Sequence, residues 1–339
     1  MTTRTLFAIL WIASAAISGA RAQPVAPSAI DILPWFSETF LDFRENIADA
    51  AREQRRLLVY VGQDGCPYCR QVMVSNFSQR RIVDKTRAHF VAIALNIWGD
   101  RELKWVDGRT MTEKELARAL RVQFTPTILL FDENGGVVAR PDGYYPPQRF
   151  EGVLDYVAGR REHREPLGAY LARTVRESAS PTLHDEPFFE RPPYDLSRKP
   201  GDKPLAVVFE TTACKGCDEL HGEAFRRPEA LALLVRFDVA RFALGATTPL
   251  TAPDGSATTA YAWARALQVI YTPSVVFFDA SGVEVFRISA YLRPFRLASS
   301  LQYVADGAYS SEPSFQRYMQ RRADALRARR TGGSVAMSA

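Results

Sequence analysis

The chain has 339 residues, of which 47% are apolar and 24% charged, and its formal net charge is +5. This length accommodates about two domains of ordinary size, and the composition excludes a disordered, collagen-like or coiled-coil chain. The charges are spread along the sequence, so no binding surface for nucleic acid is indicated. The one basic run, at 321–330, is interpreted as a solvated last helix with a frayed tail, with contact to an anionic surface as the alternative.

The first 22 residues have the pattern of a secretory signal. Arg4 supplies a positive charge, residues 6–17 form a short apolar core, and the ARA at 20–22 ends in the small-x-small pattern that signal peptidase cleaves. This apolar core is too short to span a bilayer. The sequence therefore predicts cleavage after Ala22, export to the periplasm and no stable membrane insertion, with an uncleaved N-terminal anchor as the alternative.

The rest of the sequence is a tandem repeat. The Cys pairs CPYC at 66–69 and CKGC at 214–217 start 148 positions apart, and Pro126 and Pro273 are 147 positions apart. A spacing that holds across the whole unit predicts two homologous domains. The predicted order is a signal peptide at 1–22, a first domain at 23–165, a Pro-rich linker at 166–200, a second domain at 201–325 and a basic flexible tail at 326–339.

The same succession of secondary-structure elements is predicted for both units of the repeat. The first has an amphipathic helix at 35–54, strands at 56–61 and 90–96, a helix from Thr112, a strand after Pro126, a hairpin and a last helix at 147–159. The second unit repeats the strands at 205–210 and 236–242 and the last helix at 294–307. The apolar runs indicate central strands, and Thr112 with Glu115 predicts a capping box. The order βαβαββα predicts an α/β domain with a mixed central sheet flanked by helices.

The four cysteines allow three interpretations. Two disulfides that each close a very short loop add little stability, and a Cys₄ zinc centre normally has about 15–20 residues between its pairs. Here 144 residues separate the pairs. A Cys at the N-terminus of a helix favours the thiolate, and a second Cys one turn later can resolve a mixed disulfide. We therefore expect Cys66 and Cys214 to be exposed nucleophiles, Cys69 and Cys217 to be shielded resolving thiols, and neither metal nor cofactor to be required.

A CxxC pair at the start of a helix, followed by a Thr-Pro dipeptide that opens a later strand, resembles the thioredoxin family. The resemblance covers nearly the whole mature chain, twice, and it implies two tandem thioredoxin-like domains. It also implies that Pro126 and Pro273 are cis and that Thr125 and Thr272 present their backbone to a substrate peptide. The stretch from GCPYC to QFTPT is similar to a periplasmic subgroup that includes the thioredoxin of the bacterial sulfur-oxidation (Sox) system.

Residues within the Cys pairs are expected to tune the chemistry. Tyr68 offers an aromatic edge for substrate contact, and Lys215 places a positive charge beside Cys214, which favours its thiolate. His221 lies four residues after Cys217 on the same predicted helix and is interpreted as a solvated residue, with modulation of Cys214 as the alternative.

The buried acid that thioredoxins carry on the preceding strand is missing, since Tyr60 and Val208 stand in its place. Asp64 in the first unit and Glu210 in the second are candidate substitutes that would accept the proton of the resolving Cys. The alternative is that both are solvated loop carboxylates.

The sequence thus predicts an exported protein thiol–disulfide oxidoreductase, and the subgroup resemblance favours a reductase. Its expected partners are periplasmic protein disulfides and a membrane thiol donor, without nucleic acid; the sequence does not indicate an oligomeric state. The alternatives are a disulfide oxidase or isomerase, or a redox-inactive peptide-binding or holdase module on the same scaffold. An intact Cys pair in both units argues against pure binding.

Overall fold

The structure is a computed structural model that describes residues 29–175, 179–269, 271–289 and 293–335. The predicted signal peptide lies outside the described residues. Two α/β domains follow one another along the chain, and each is built on a four-stranded mixed sheet flanked by helices. The fold class predicted from the sequence is confirmed.

The first domain contains strands β1 (Arg56–Gly62), β2 (Phe90–Asn96), β3 (Glu102–Lys104), β4 (Thr110–Thr112), β5 (Thr127–Phe131) and β6 (Val137–Ala139). Its helices are α1 (Phe43–Arg52), α2 (Pro67–Gln71), which continues as a π-helical turn at Val72–Asn76, α3 (Arg80–His89), α4 (Glu113–Ala119), α5 (Pro147–Ala158), a short 3-10 turn at Arg161–His163, and α6 (Leu167–Thr174). The sheet order is β2-β1-β5-β6, with β1 parallel to β2 and antiparallel to β5.

The second domain contains strands β7 (Tyr194–Asp195), β8 (Leu205–Glu210), β9 (Asp238–Ala243), β10 (Pro249–Thr251), β11 (Ala257–Thr259), β12 (Ser274–Phe278) and β13 (Glu284–Ile288). Its helices are α7 (Lys215–Glu219), which continues as a π-helical turn at Leu220–Ala224, α8 (Pro228–Leu234), α9 (Ala260–Ala266), α10 (Pro294–Ala305), α11 (Ala308–Ser311) and α12 (Phe315–Val335). The order β9-β8-β12-β13 repeats the sheet of the first domain.

Local sequence explains most of these elements. Every residue of β1 and of β8 is buried, as continuous apolar runs at the centre of a sheet require. The predicted capping box is confirmed at the start of α4, where the Thr112 side chain accepts the Glu115 N–H and the Glu115 carboxylate accepts the Thr112 N–H.

The predicted helix at 35–54 is wrong in its first part, because α1 begins only at Phe43. Leu41 has a positive φ of 58°, which ends any helix before it, and the Asp42 side chain caps α1. The aromatic rings of Trp35 and Phe36 instead pack on Phe77 in the core of the first domain, with centroids 5.2 and 5.4 Å away.

Much of the segment at 166–200, predicted as a linker, is built into the two domains. Leu167 and Leu171 of α6 lie in the core of the first domain, Phe189 lies in the core of the second, and β7 pairs with β10. Helix α12 extends through residues 326–335 of the predicted basic tail. Among the described residues, no helix combines the length and apolarity needed to span a bilayer.

Each domain contributes one aromatic side chain to the core of the other. Phe124, from the first domain, packs against Phe286 and Phe315 of the second at centroid distances of 5.8 and 5.4 Å. Tyr271, which stands 147 positions later, packs against Tyr145 of the first domain at 6.2 Å. The two domains are therefore joined by a reciprocal, pseudo-symmetric contact.

Replacing Phe124 by Ala is expected to destabilise the second domain by about 3–5 kcal/mol, because it empties a site in that domain's core. Hydrogen exchange of the β12 and β13 amides measures the effect. The matched control is Phe43→Ala, which removes a fully buried ring from the core of the first domain. Loss of protection confined to the first domain in Phe124→Ala would contradict the cross-packing.

Candidate active site

The two Cys pairs have the same geometry. Each pair forms a disulfide with a Cα–Cα distance of 5.2 Å. The sulfur of Cys66 caps α2 and accepts the Cys69 N–H at 3.1 Å, and Cys214 caps α7 and accepts the Cys217 N–H at 3.1 Å. When a pair is reduced, this N–H and the helix terminus stabilise negative charge on the leading sulfur.

A cis-proline loop lies beside each pair. The Thr125–Pro126 and Thr272–Pro273 bonds are both cis, as the family resemblance implied. The Cys66 sulfur lies 3.5 Å from the carbonyl oxygen of Thr125 and 3.5 Å from its hydroxyl oxygen. In the second domain, Cys214 and Thr272 border one small crevice. The predicted site residues therefore come together in both domains.

The prediction that the leading cysteines are exposed is wrong. Cys66 is 3% exposed and Cys214 is 4% exposed. Residues of the facing domain contribute to this covering: Tyr271 belongs to the same buried cluster as Cys66, and Arg149 with residues of α6 borders the crevice at Cys214. The sequence of one domain contains no signal for this covering.

One arginine from each domain forms a hydrogen bond with the proline loop of the other domain. The Arg149 guanidinium donates to the Thr272 carbonyl oxygen at 3.3 Å, and the Arg296 guanidinium donates to the Thr125 carbonyl oxygen at 3.4 Å. The two arginines are 147 positions apart, and each follows a proline by two residues. The backbone groups expected to bind a substrate peptide are thus held by the opposite domain.

A cavity of about 480 Å³ lies between the domains. Tyr68 of the first Cys pair borders it on one side, and Lys215 and Gly216 of the second pair border it on the other. Tyr68 is half-buried beneath Arg296, whose guanidinium carbon is 4.5 Å from the ring centroid, while Lys215 is exposed. Tyr68, which was predicted to contact substrate, and Lys215, which was predicted to tune Cys214, therefore face one shared space.

The thioredoxin-like domain family matches the sequence twice, over residues 43–158 and 196–305. The chain belongs to this family.

Solved structures give further similarities. The chain is similar to a thioredoxin-fold protein from Helicobacter pylori, with 24% identity, 40% of this chain and 96% of that chain covered, and a TM-score of 0.34. It is also similar to a thioredoxin from Thermus thermophilus, with 26% identity, 37% of this chain and 94% of that chain covered, and a TM-score of 0.29. No curated protein matches the chain at significant similarity.

The second thioredoxin-like domain has a buried acid–base cluster beside its Cys pair. Glu210, fully buried at the end of β8, lies with Oε1 2.8 Å from Nε2 of His221, and the imidazole Nδ1 lies 2.9 Å from Oε1 of Glu186. His221 is only 2% exposed, so its interpretation as a solvated residue is wrong. Glu210 is fully buried, so its interpretation as a solvated carboxylate is also wrong. Glu186 comes from the predicted linker, which explains why the sequence did not reveal the cluster.

This cluster shifts the titration of its imidazole. Burial alone would lower the pKa of His221, but hydrogen bonds and charges from Glu210 and Glu186 outweigh it and raise the pKa. The second carboxylate oxygen of Glu210 has no hydrogen-bond partner in the described part of the chain.

The first thioredoxin-like domain lacks the equivalent carboxylate, because Gly62 stands at the position of Glu210. Its candidate acid, Asp64, is exposed, and Oδ1 accepts the Ile30 N–H at 3.1 Å. Burial, with a smaller contribution from the Asp64 charge, raises the pKa of Tyr60. The two sites therefore share a frame and differ in their acid–base surroundings. Across the described segments, no three His, Cys, Asp or Glu side chains gather in a metal-binding arrangement.

The stability of the second domain should depend on pH through His221. A pKa raised on folding contributes stability that is fully present below the unfolded value of about 6.5 and is lost as the pH rises through the folded pKa. Urea unfolding of the wild type should therefore show a falling midpoint as the pH rises above about 6.5. His221→Gln should remove this fall, and His89→Gln, at an exposed histidine, should retain it. An unchanged fall in His221→Gln would contradict the assignment.

Proposed function

We propose that the protein is an exported thiol–disulfide oxidoreductase that reduces disulfides of periplasmic proteins through Cys66 and Cys214. The observation that carries the proposal is the repeated constellation of a helix-capping sulfur, a second Cys one turn later and an adjacent cis-proline loop. Thiol–disulfide exchange needs an attacking sulfur and a resolving sulfur, and both occur here twice, each time beside a cis-proline loop.

The exchange follows from the placement of the two sulfurs. In the dithiol form, the Cys66 thiolate attacks one sulfur of a substrate disulfide, forms a mixed disulfide and releases the other substrate sulfur as a thiolate. The Cys69 thiolate then attacks the Cys66 sulfur and releases the second substrate thiol. Two electrons have passed to the substrate, and the protein is left as the disulfide present in this structure. A dithiol donor at the membrane restores the reduced pair by the same steps.

Reduction is favoured over oxidation or isomerisation by the resemblance to the periplasmic subgroup that includes the Sox thioredoxin. Substrate access to Cys66 or Cys214 needs the facing domain to move, because both residues are covered. We expect this opening to occur at the cavity between the domains, where Tyr68 and Lys215 are already accessible to a ligand.

Serine substitutions distinguish a redox enzyme from a redox-inactive binding module. With insulin disulfides as substrate and dithiothreitol as electron donor, Cys66→Ser and Cys214→Ser should each retain the activity of the other site. The double variant should fall to the uncatalysed rate, because no attacking thiolate remains. A holdase would instead suppress aggregation of a heat-unfolded client equally well in the double variant, and full reductase activity there would contradict the proposal.

Export is tested by the mass of the mature protein. When the full chain is expressed in a Gram-negative bacterium, the periplasmic fraction should contain a form that begins at Gln23, because cleavage is expected after Ala22. Intact-mass measurement of the chain in the periplasmic and cytoplasmic fractions shows whether it has been cleaved and exported. An uncleaved chain found only in the cytoplasm would contradict export.

A further inference from the structure

The cavity between the domains has a positively charged lining. Among the residues that the structure describes, five basic side chains border it, namely Arg149, Lys215, Arg227, Arg293 and Arg296. The acidic side chains of Glu219 and Glu223 belong to the same described lining. Because surrounding protein lowers the local dielectric constant, charge collected in a cleft attracts counter-ions more strongly than the same charge on an open surface.

Arg296 is half-buried, whereas Lys215, Arg227 and Arg293 are exposed. Its guanidinium makes one hydrogen bond of 3.4 Å, to a carbonyl oxygen, and lies over the Tyr68 ring. No carboxylate of the described residues forms an ion pair with it, and burial lowers its pKa. Charged side chains that leave water are normally paired, and a guanidinium offers five N–H donors. Most of the donors of Arg296 are therefore available to an anion in the cavity.

The rest of the lining suits a short peptide segment. Tyr68, Tyr144 and Tyr145 supply aromatic surface next to the charges. A volume of about 480 Å³ lies within the range of small-molecule sites and would hold only a few residues. Because Tyr68 of the first CxxC pair and Lys215 and Gly216 of the second border the same cavity, a ligand bound there lies beside both redox centres.

We propose that this cavity binds carboxylate groups next to a substrate disulfide, so that the preferred substrates are acidic disulfides. The proposal rests on the proposed function and names its substrate class. Arg296 pairs with a carboxylate of the substrate, and the other basic side chains add a field that weakens with salt. Such carboxylates occur both in acidic protein segments and in low-molecular-mass disulfides, and the experiment separates these sources.

The direct test compares two synthetic peptides that share one internal disulfide and carry either Glu or Gln at the flanking positions. We expect kcat/KM to be about tenfold higher for the Glu peptide at low ionic strength, which corresponds to about 1.4 kcal/mol. The difference should lie in KM and shrink as salt is added, because the charges act in binding. Equal kcat/KM values for the two peptides would overturn the proposal.

Variants assign the effect to the cavity. Arg296→Gln should remove most of the preference, and Arg296→Lys should retain part of it, since the charge remains without the planar donor set. Arg293→Gln changes an exposed residue of the same lining and should cause a second, milder loss of the preference, without disturbing the half-buried Arg296 site. Arg52→Gln is the matched control, because Arg52 is an exposed residue paired with Asp49 on α1. A preference that is unchanged in both cavity variants would overturn the assignment.

Two further arms separate this proposal from the proposed function. Glu and Gln peptides with both cysteines replaced by Ser report binding without exchange. Tighter binding of the Glu peptide supports carboxylate binding in the cavity even if no disulfide is exchanged. Fast but equal exchange of both disulfide peptides overturns the cavity proposal and leaves the proposed function in place.

A small disulfide identifies the source of the carboxylate. The rates with 3,3′-dithiodipropionate and with its diamide are compared. A preference for the dicarboxylate supports low-mass disulfides, and a preference confined to the peptides supports acidic protein segments.

Discussion

Two arginines at equivalent positions of the repeat hold the backbone of the opposite domain's proline loop, and this reciprocal contact determines how the sites can be used. Arg149 and Arg296 donate to the carbonyl oxygens of Thr272 and Thr125. In the same arrangement the leading sulfurs are covered, and an aromatic ring from each domain enters the core of the other. The cavity between the domains is bordered by Tyr68 of the first CxxC pair and by Lys215 and Gly216 of the second.

The pseudo-symmetric frame contains two unequal redox couples. The first site has Tyr68 within its Cys pair and an exposed Asp64 before it, whereas the second has Lys215 within the pair and buried Glu210 and His221 behind it. The stability of a thiolate depends on nearby charge and on desolvation, so the two pairs experience different electrostatic surroundings although their sulfur geometry is the same. The two repeats therefore share the placement of the leading sulfur and differ in the residues around it.

Features that depend on neighbouring residues could be predicted from the sequence, and features that depend on the other domain could not. The buried strands, the Thr112 capping box and the proline loops follow from local patterns within one repeat. Tyr271, which shares a buried cluster with Cys66, comes from a domain that begins far along the chain, and the His221 cluster needs Glu186, which is 35 residues away in the predicted linker. The sequence did contain one sign of the contact between the domains, because its two arginines, Arg149 and Arg296, keep the 147-residue spacing of the repeat.

The central claim is that both Cys pairs are reversible redox couples, and their reduction potentials test it most directly. Each potential is measured in a variant whose other pair is replaced by serines, after equilibration in thiol–disulfide buffers, alkylation of free thiols and intact-mass analysis. Each pair should convert fully between dithiol and disulfide at a potential between about −120 and −300 mV. A pair that stays oxidised below about −300 mV would be a structural disulfide and would contradict the account.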